Sequence, residues 1–215
     1  MSKKAVAKKV SEPVKKEVHK QVYRAIKTMS ETKYTNIQYG IFSQLSGGVS
    51  TTPLDATALI VAGTSGVNRI GNEIRIQNLE WMCQTTNTGA ADAIGRYILF
   101  RWKAEALGTP PAVADILDNG PSGGPDINSL YNYNNRKSYE ILVDEKKIYV
   151  SGSSAMNRTG MFKKKVFGKK LQFLTQYDVG SASGYNHIYT MFLGSVAVSP
   201  TLSTVSTLRI GFKDS

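Results

Sequence analysis

Few residues in this 215-residue chain are of the kinds that usually do chemistry. There are two histidines, His19 and His187, and one cysteine, Cys83. A metal-dependent enzyme typically needs two or three clustered histidines with a carboxylate, and the common zinc spacings need Cys and His in close sets. Neither arrangement is present. Ser183, His187 and Asp178 are close in number, the composition of a hydrolytic triad. They fall in or beside a Gly/Ser loop, however, and no G-x-S-x-G elbow accompanies them, so His187 reads as an ordinary strand residue. Gly47-Gly48 and Gly123-Gly124 lack the Lys-Ser/Thr that completes a phosphate loop and read as turn formers. The carboxylates Asp55, Asp92, Asp115, Asp118, Asp126, Asp178 and Asp214 are scattered. Calcium at subunit contacts would suit some of them, but sequence alone does not pair them. No metal ligand is assigned, no cofactor is expected, and the reading is a non-enzyme.

What remains is positive charge. The chain carries +11 overall. Residues 1–33 hold ten Lys/Arg and three Asp/Glu, a net of +7, and the rest of the chain holds +4. Such an asymmetric tail binds nucleic acid or an anionic membrane. The candidate phosphate contacts are Lys3, Lys4, Lys8, Lys9, Lys15, Lys16, Lys20, Arg24 and Lys27. Outside the tail, Lys163, Lys164 and Lys165, followed by Lys169 and Lys170, form the one other basic cluster. It reads either as a strand end kept soluble by charge or as a second nucleic-acid site. Strand alternation prevents three consecutive lysines from pointing the same way.

The elements that would carry these charges differ between the two regions. Residues 1–10 are basic and low in complexity, and disorder is expected. Over 12–29, Val14, Val18, Val22, Ile26 and Met29 recur at helical spacing. Ser11 can cap this helix, and Pro13 falls in its first turn. The stripe suits self-association and the basic back suits phosphate. An amphipathic membrane helix ranks second, because the stripe lacks Trp, Phe and Leu. No apolar run reaches a membrane span, the Lys-rich start lacks a secretory stretch, and a lone cysteine points to a reducing compartment.

From residue 34 onward the pattern is β. Eight strands are predicted: 34–42, 72–83, 96–103, 138–150, 162–167, 170–176, 187–198 and 204–213. Long loops cover 46–68 and 119–136, and a short helix covers 110–118. Ile74 and Ile76 are out of phase with Leu79, Trp81 and Cys83, so a bulge near Gln77-Asn78 is required to bring both sets to one side. Strands 96–103 and 187–198 alternate most clearly and are expected in the core. Eight antiparallel strands with one core helix predict an all-β sandwich or jelly roll over 34–215, preceded by a basic arm over 1–33.

Four ordered stretches carry a family resemblance: Arg69-Ile-Gly-Asn-Glu-Ile-Arg-Ile, Gly95-Arg-Tyr-Ile-Leu-Phe-Arg-Trp with Thr109-Pro110, Val113-Ala-Asp-Ile-Leu, and Arg136-Lys-Ser-Tyr-Glu-Ile-Leu-Val-Asp. Their order and spacing over about 69–150 resemble the coat proteins of satellite tobacco necrosis virus type, also seen in some circular single-stranded DNA viruses. The first stretch looks like the lead-in to that family's second shell strand. The resemblance implies an eight-stranded antiparallel jelly roll of two four-stranded sheets. It also implies a T=1 capsid of about sixty copies and packaging of a single-stranded RNA or DNA genome by the arm. The expected location is the virion, with assembly in host cytoplasm or nucleus, and no membrane partner. The alternative from another class is a cellular jelly-roll carbohydrate-binding module with a basic tail.

Overall fold

The computed structural model describes residues 15–22, 31–43, 52–103, 110–120, 123–151, 158–171, 173–178, 184–195 and 202–214. The chain divides into two compact units, Met1–Thr32 and Lys33–Ser215. In the first, residues 15–22 form helix α1, with every side chain exposed, including Val18 and Val22 of the predicted stripe. The expected disorder of 1–10, the cap at Ser11, and Val14, Ile26 and Met29 lie outside the described residues.

The second unit is two antiparallel sheets. In the first, β1 (Lys33–Ser43) pairs with β10 (Leu202–Asp214), which pairs with β3 (Glu73–Asn87). Along the other edge of β3 run β6 (Arg158–Phe167), opposite Asn78–Asn87, and β7 (Leu174–Tyr177), opposite Glu73–Arg75. The two-residue β8 (Gly184–Tyr185) adds to β7. In the second sheet the order is β2 (Leu54–Asp55), β9 (His187–Gly194), β4 (Ala93–Trp102) and β5 (Tyr139–Tyr149). Because β6 and β7 share one edge, they act as a single interrupted strand. Each sheet is then four strands wide, β8 aside, and the chain crosses between sheets in jelly-roll order. The interruption is a 3-10 turn over Gly168–Leu171 that starts at Gly168, where φ is +73°. A side chain with a Cβ would be strained there. Lys170 therefore sits in a turn and not in the predicted 170–176 strand.

The predicted bulge is present. Gly211 of β10 pairs with Asn78 and Phe212 with Ile76, which leaves Gln77 as the extra residue. Ile74, Ile76, Leu79, Trp81 and Cys83 consequently all face inward and are buried. Strand β2 was hidden in the predicted 46–68 loop, since two residues cannot display an alternation. The stretch from Arg69 therefore leads into the third shell strand and not the second. The predicted helix over 110–118 contracts to α2 (Val113–Ile116), because Leu117 leaves it to bridge to Tyr131.

Two cores result. Between the sheets, Trp81 meets Phe162 edge-on at 5.6 Å, and Tyr97 meets Phe162 at 4.8 Å and Phe192 at 5.7 Å. The Trp81 indole N–H donates to Ser206 Oγ at 2.8 Å. The Tyr97 hydroxyl joins those of Thr85 and Tyr149 at 2.6 and 2.8 Å, so these buried polar atoms have partners. The second core lies on the outer face of the second sheet. There α2 and the 123–139 segment cover Ile98, Phe100, Met191 and Leu193 with Ile116, Leu117, Ile127 and Tyr139. Strand β9 is buried along its whole length.

At the root of β1, Lys33 Nζ lies 2.7 Å from Asp214 at the end of β10 and donates to the Asn68 carbonyl at 2.9 Å.

Burial pushes the Cys83 thiol up to about 12, with a hydrogen bond to Ser206 pulling the other way. The thiolate is the reactive form. Native protein at pH 8 should therefore leave a thiol-specific chromogenic reagent unconsumed, and denatured protein should consume one equivalent. Rapid labelling of folded protein would contradict this burial.

Candidate nucleic-acid interface

Of the nine arm cations, Lys15, Lys16 and Lys20 fall on α1, all three exposed, alongside Glu17 and His19. The sequence folds locally as a helix because this run is free of glycine and proline and rich in Lys, Glu and Gln. Lys3, Lys4, Lys8, Lys9, Arg24 and Lys27 lie outside the described residues.

The shell lysines separate as alternation requires. Lys163 and Lys165 lie on the outer face of the first sheet, and Lys164 faces the other way. Register places Lys165, Glu80, Arg209 and Asn36 in one row across β6, β3, β10 and β1. Glu80 bonds to Lys163, lies 3.3 Å from Lys165 and lies 3.5 Å from Arg209 Nη1. The Arg209 Nε–H donates to Asn36 Oδ1 at 2.9 Å. Lys163, and after it Lys165, hold the Glu80 carboxyl below its usual range against a smaller effect of desolvation, so it stays ionised. Three cations and one carboxylate give this face a local charge of +2. Exposed pairs of this kind are individually weak and screened by salt, so a phosphate can compete for them. Lys164 is engaged elsewhere, at 2.8 Å from Glu145 of β5, which Lys147 also contacts at 2.9 Å. Arg209 escaped the sequence reading because it is an isolated cation in its own strand. Only the cross-strand register brings it to the lysines.

The carboxylates accept backbone bonds within their own loops or from distant ones. Asp115 accepts from the Ala112 N–H at 2.8 Å, Asp126 from Asn128 N–H at 2.7 Å, and Asp92 from Ser151 N–H at 2.6 Å. Among the described residues, no group of three His, Cys, Asp or Glu is placed to hold a metal. His187 is paired with Asp55 and not with Asp178. Its Nδ1 is 2.6 Å from Asp55 Oδ2, and its Nε2–H donates to the Gln176 carbonyl at 3.1 Å. Asp55 also accepts from Thr57 Oγ1 and Ala58 N–H. This buried pair fastens the two-residue β2 to β9 and β7. Ser183 lies outside the described residues.

A second charged cluster holds the cover of the second sheet. Arg96 grips Asp144 through two contacts at 3.1 and 2.8 Å, and its Nη1 donates to the Ser129 carbonyl at 2.7 Å. The Tyr131 hydroxyl donates to Asp144 Oδ2 at 2.5 Å. Burial raises the Asp144 pKa, but the bonds from Arg96 and Tyr131 outweigh it and bring the carboxyl below its usual value.

A family model described as satellite tobacco necrosis virus coat protein matches residues 1–215. Among solved structures, the chain is similar to that of Desmodium yellow mottle tymovirus, with 8% identity and a TM-score of 0.34, over 86% of this chain and 89% of that one. It is also similar to a chain in a structure of deformed wing virus carrying the GFP gene, with 11% identity and a TM-score of 0.30, over 89% and 45%. No curated protein matches the sequence significantly.

Because the Asp144 pKa is depressed by folding, its contribution to stability is present above its unfolded value, near 4, and is lost as pH falls through the folded one. Asp144→Asn leaves the Arg96 charge buried without its partner and should cost on the order of 3 kcal/mol. Thermal melts across pH 2–7 check both statements. The variant should melt lower at pH 7 and lose part of the wild type's acid dependence below about pH 4. Equal melting at pH 7 would show that this pair does not hold the 123–139 cover.

Proposed function

The chain belongs to the satellite tobacco necrosis virus coat protein family, and from that membership we propose that about sixty copies close into a T=1 icosahedral shell and package single-stranded nucleic acid through the basic arm, residues 1–33. Coat-protein function and a place in the virion follow from the family itself. The copy number and the packaging are the further step, and the charge distribution carries it: +7 in the first 33 residues against +4 in all the rest.

The mechanism is electrostatic. Each Lys or Arg that meets a phosphate releases a condensed counterion, which drives binding without reading sequence. About sixty arms bring about 420 positive charges, enough for on the order of four hundred phosphates. A viral genome is normally longer than that, so further cations are needed. The outer face of the first sheet offers them in Lys163, Lys165 and Arg209, reduced by Glu80. Lys164, turned toward Glu145, contributes least.

Changing Lys15, Lys16, Lys20, Arg24 and Lys27 to Gln removes five charges with little change in helix propensity. The salt dependence of single-strand affinity, log K against log salt, should flatten by about 0.7 per contact, or about 3.5 for all five. An unchanged slope would assign the genome to the shell and not the arm. Removing residues 1–32, which keeps Lys33 and its contacts in the shell unit, should leave particles with most of their nucleic acid missing, read from the ultraviolet absorbance ratio. Full nucleic-acid content in truncated particles would overturn the packaging role. Glu80→Gln should act in the opposite direction and steepen the slope, because it frees cations on the sheet face.

A further inference from the structure

We propose that the segment between β2 and β3, residues 56–72, is a contact surface for a second copy of this chain. The inference rests on the coat-protein reading and names a surface that reading does not supply.

The segment is built in two layers. Ala56, Thr57, Ile60 and Arg69 face inward and are buried. Leu59, Val61, Val67 and Ile70 face outward, at 51%, 58%, 53% and 58% exposure. Exposing an aliphatic side chain to water costs free energy, and four in one short surface segment call for a partner.

Its charge is the second observation. A stretch of this length at the chain's average of 20% charged residues would hold about three, and this one holds only Arg69. The Arg69 guanidinium is turned in. It stacks over the Tyr177 ring at 3.9 Å, donates to the Ile60 carbonyl at 3.2 Å and bonds to the Gly71 carbonyl. The exposed side chains of the segment are thus uncharged, on a protein that carries +11, and the Lys33–Asp214 pair beside it is neutral as a pair. Two copies repel wherever faces like that of Lys163, Lys165 and Arg209 approach each other. Between the 56–72 segments that repulsion is missing and apolar surface is available, which selects a like-charged copy as the occupant over an acidic ligand.

The third observation is rigidity. The Gly63 and Arg69 backbones exchange bonds with Arg69 and Val61 at 3.0 Å. Lys33 bonds to the Asn68 carbonyl, Thr35 Oγ1 donates to the Val67 carbonyl at 2.6 Å, and the Ile70 N–H donates to Asp214 at 2.8 Å. Tied from β1, β10 and within, the loop already holds its shape, so little ordering entropy opposes contact. Four half-exposed aliphatics cover less than the roughly 800 Å² per partner of a stable interface. They form its centre, and adjoining surface completes it.

The test uses the full chain. Wild type should sediment as large particles, whereas Val61→Asp with Ile70→Asp should keep the thermal transition and yield at least tenfold fewer particles. Particles at wild-type yield would overturn the proposal. A second measurement does not depend on the tolerance of the loop for aspartate. Val67→Cys introduces an exposed thiol beside the buried Cys83, and it should react at least tenfold more slowly in particles than in dissociated subunits. Equal reactivity in the two states would also overturn the inference while leaving the coat-protein reading intact. A wild-type chain that never assembles would overturn both.

Discussion

Strand β3 is fifteen residues long and has to keep one face on the opposing sheet for its whole length. Simple alternation cannot do this, because Ile74 and Ile76 fall in the opposite phase to Leu79, Trp81 and Cys83. The extra residue at Gln77 resets the phase, and most of the shell domain then follows from it. Without the reset, either two isoleucines or the Trp81 end of the core would face water, at about 1.5–3 kcal/mol for each large aliphatic exposed. The partner strand is fitted to the same point. A Cβ on Gly211 would come within 2.6 Å of the Asn78 side chain, so glycine faces the bulge. Strands β6, β7 and β10 all take their register from β3.

The two sheets are therefore unequal. The first turns Lys163, Lys165, Glu80 and Arg209 outward, with Met82, Met161 and Val205 exposed among them, while the second is covered by α2 and the 123–139 segment, clamped through Arg96 and Asp144. Burial on both faces leaves every position of β9 buried, so the alternation read over 187–198 correctly placed the strand in the core but does not mark an exposed face.

Much of this was legible in the sequence because period-two alternation is a local signal. The strands, the bulge and the split of Lys163–Lys165 between faces could all be read from neighbours in number. What stayed hidden depends on residues far apart in the chain. Asp55 and His187 are 132 positions apart, Glu80 and Arg209 are 129 apart, and β2 is two residues long. Each acquires its role only once register and crossing order are set. The same holds for the second core, whose cover over 123–136 is too rich in Gly and Asn to look like part of a hydrophobic layer.

Lys33 and Asp214 meet at 2.7 Å because β1 and β10 are antiparallel neighbours. The chain thus enters the shell domain and runs out of its last strand at almost the same point. A peptide or enzyme tethered after Asp214 would be rooted beside Lys33, where the shell unit begins. In an assembled particle, a tag fused there would report whether that end of the domain opens to the lumen or to the exterior.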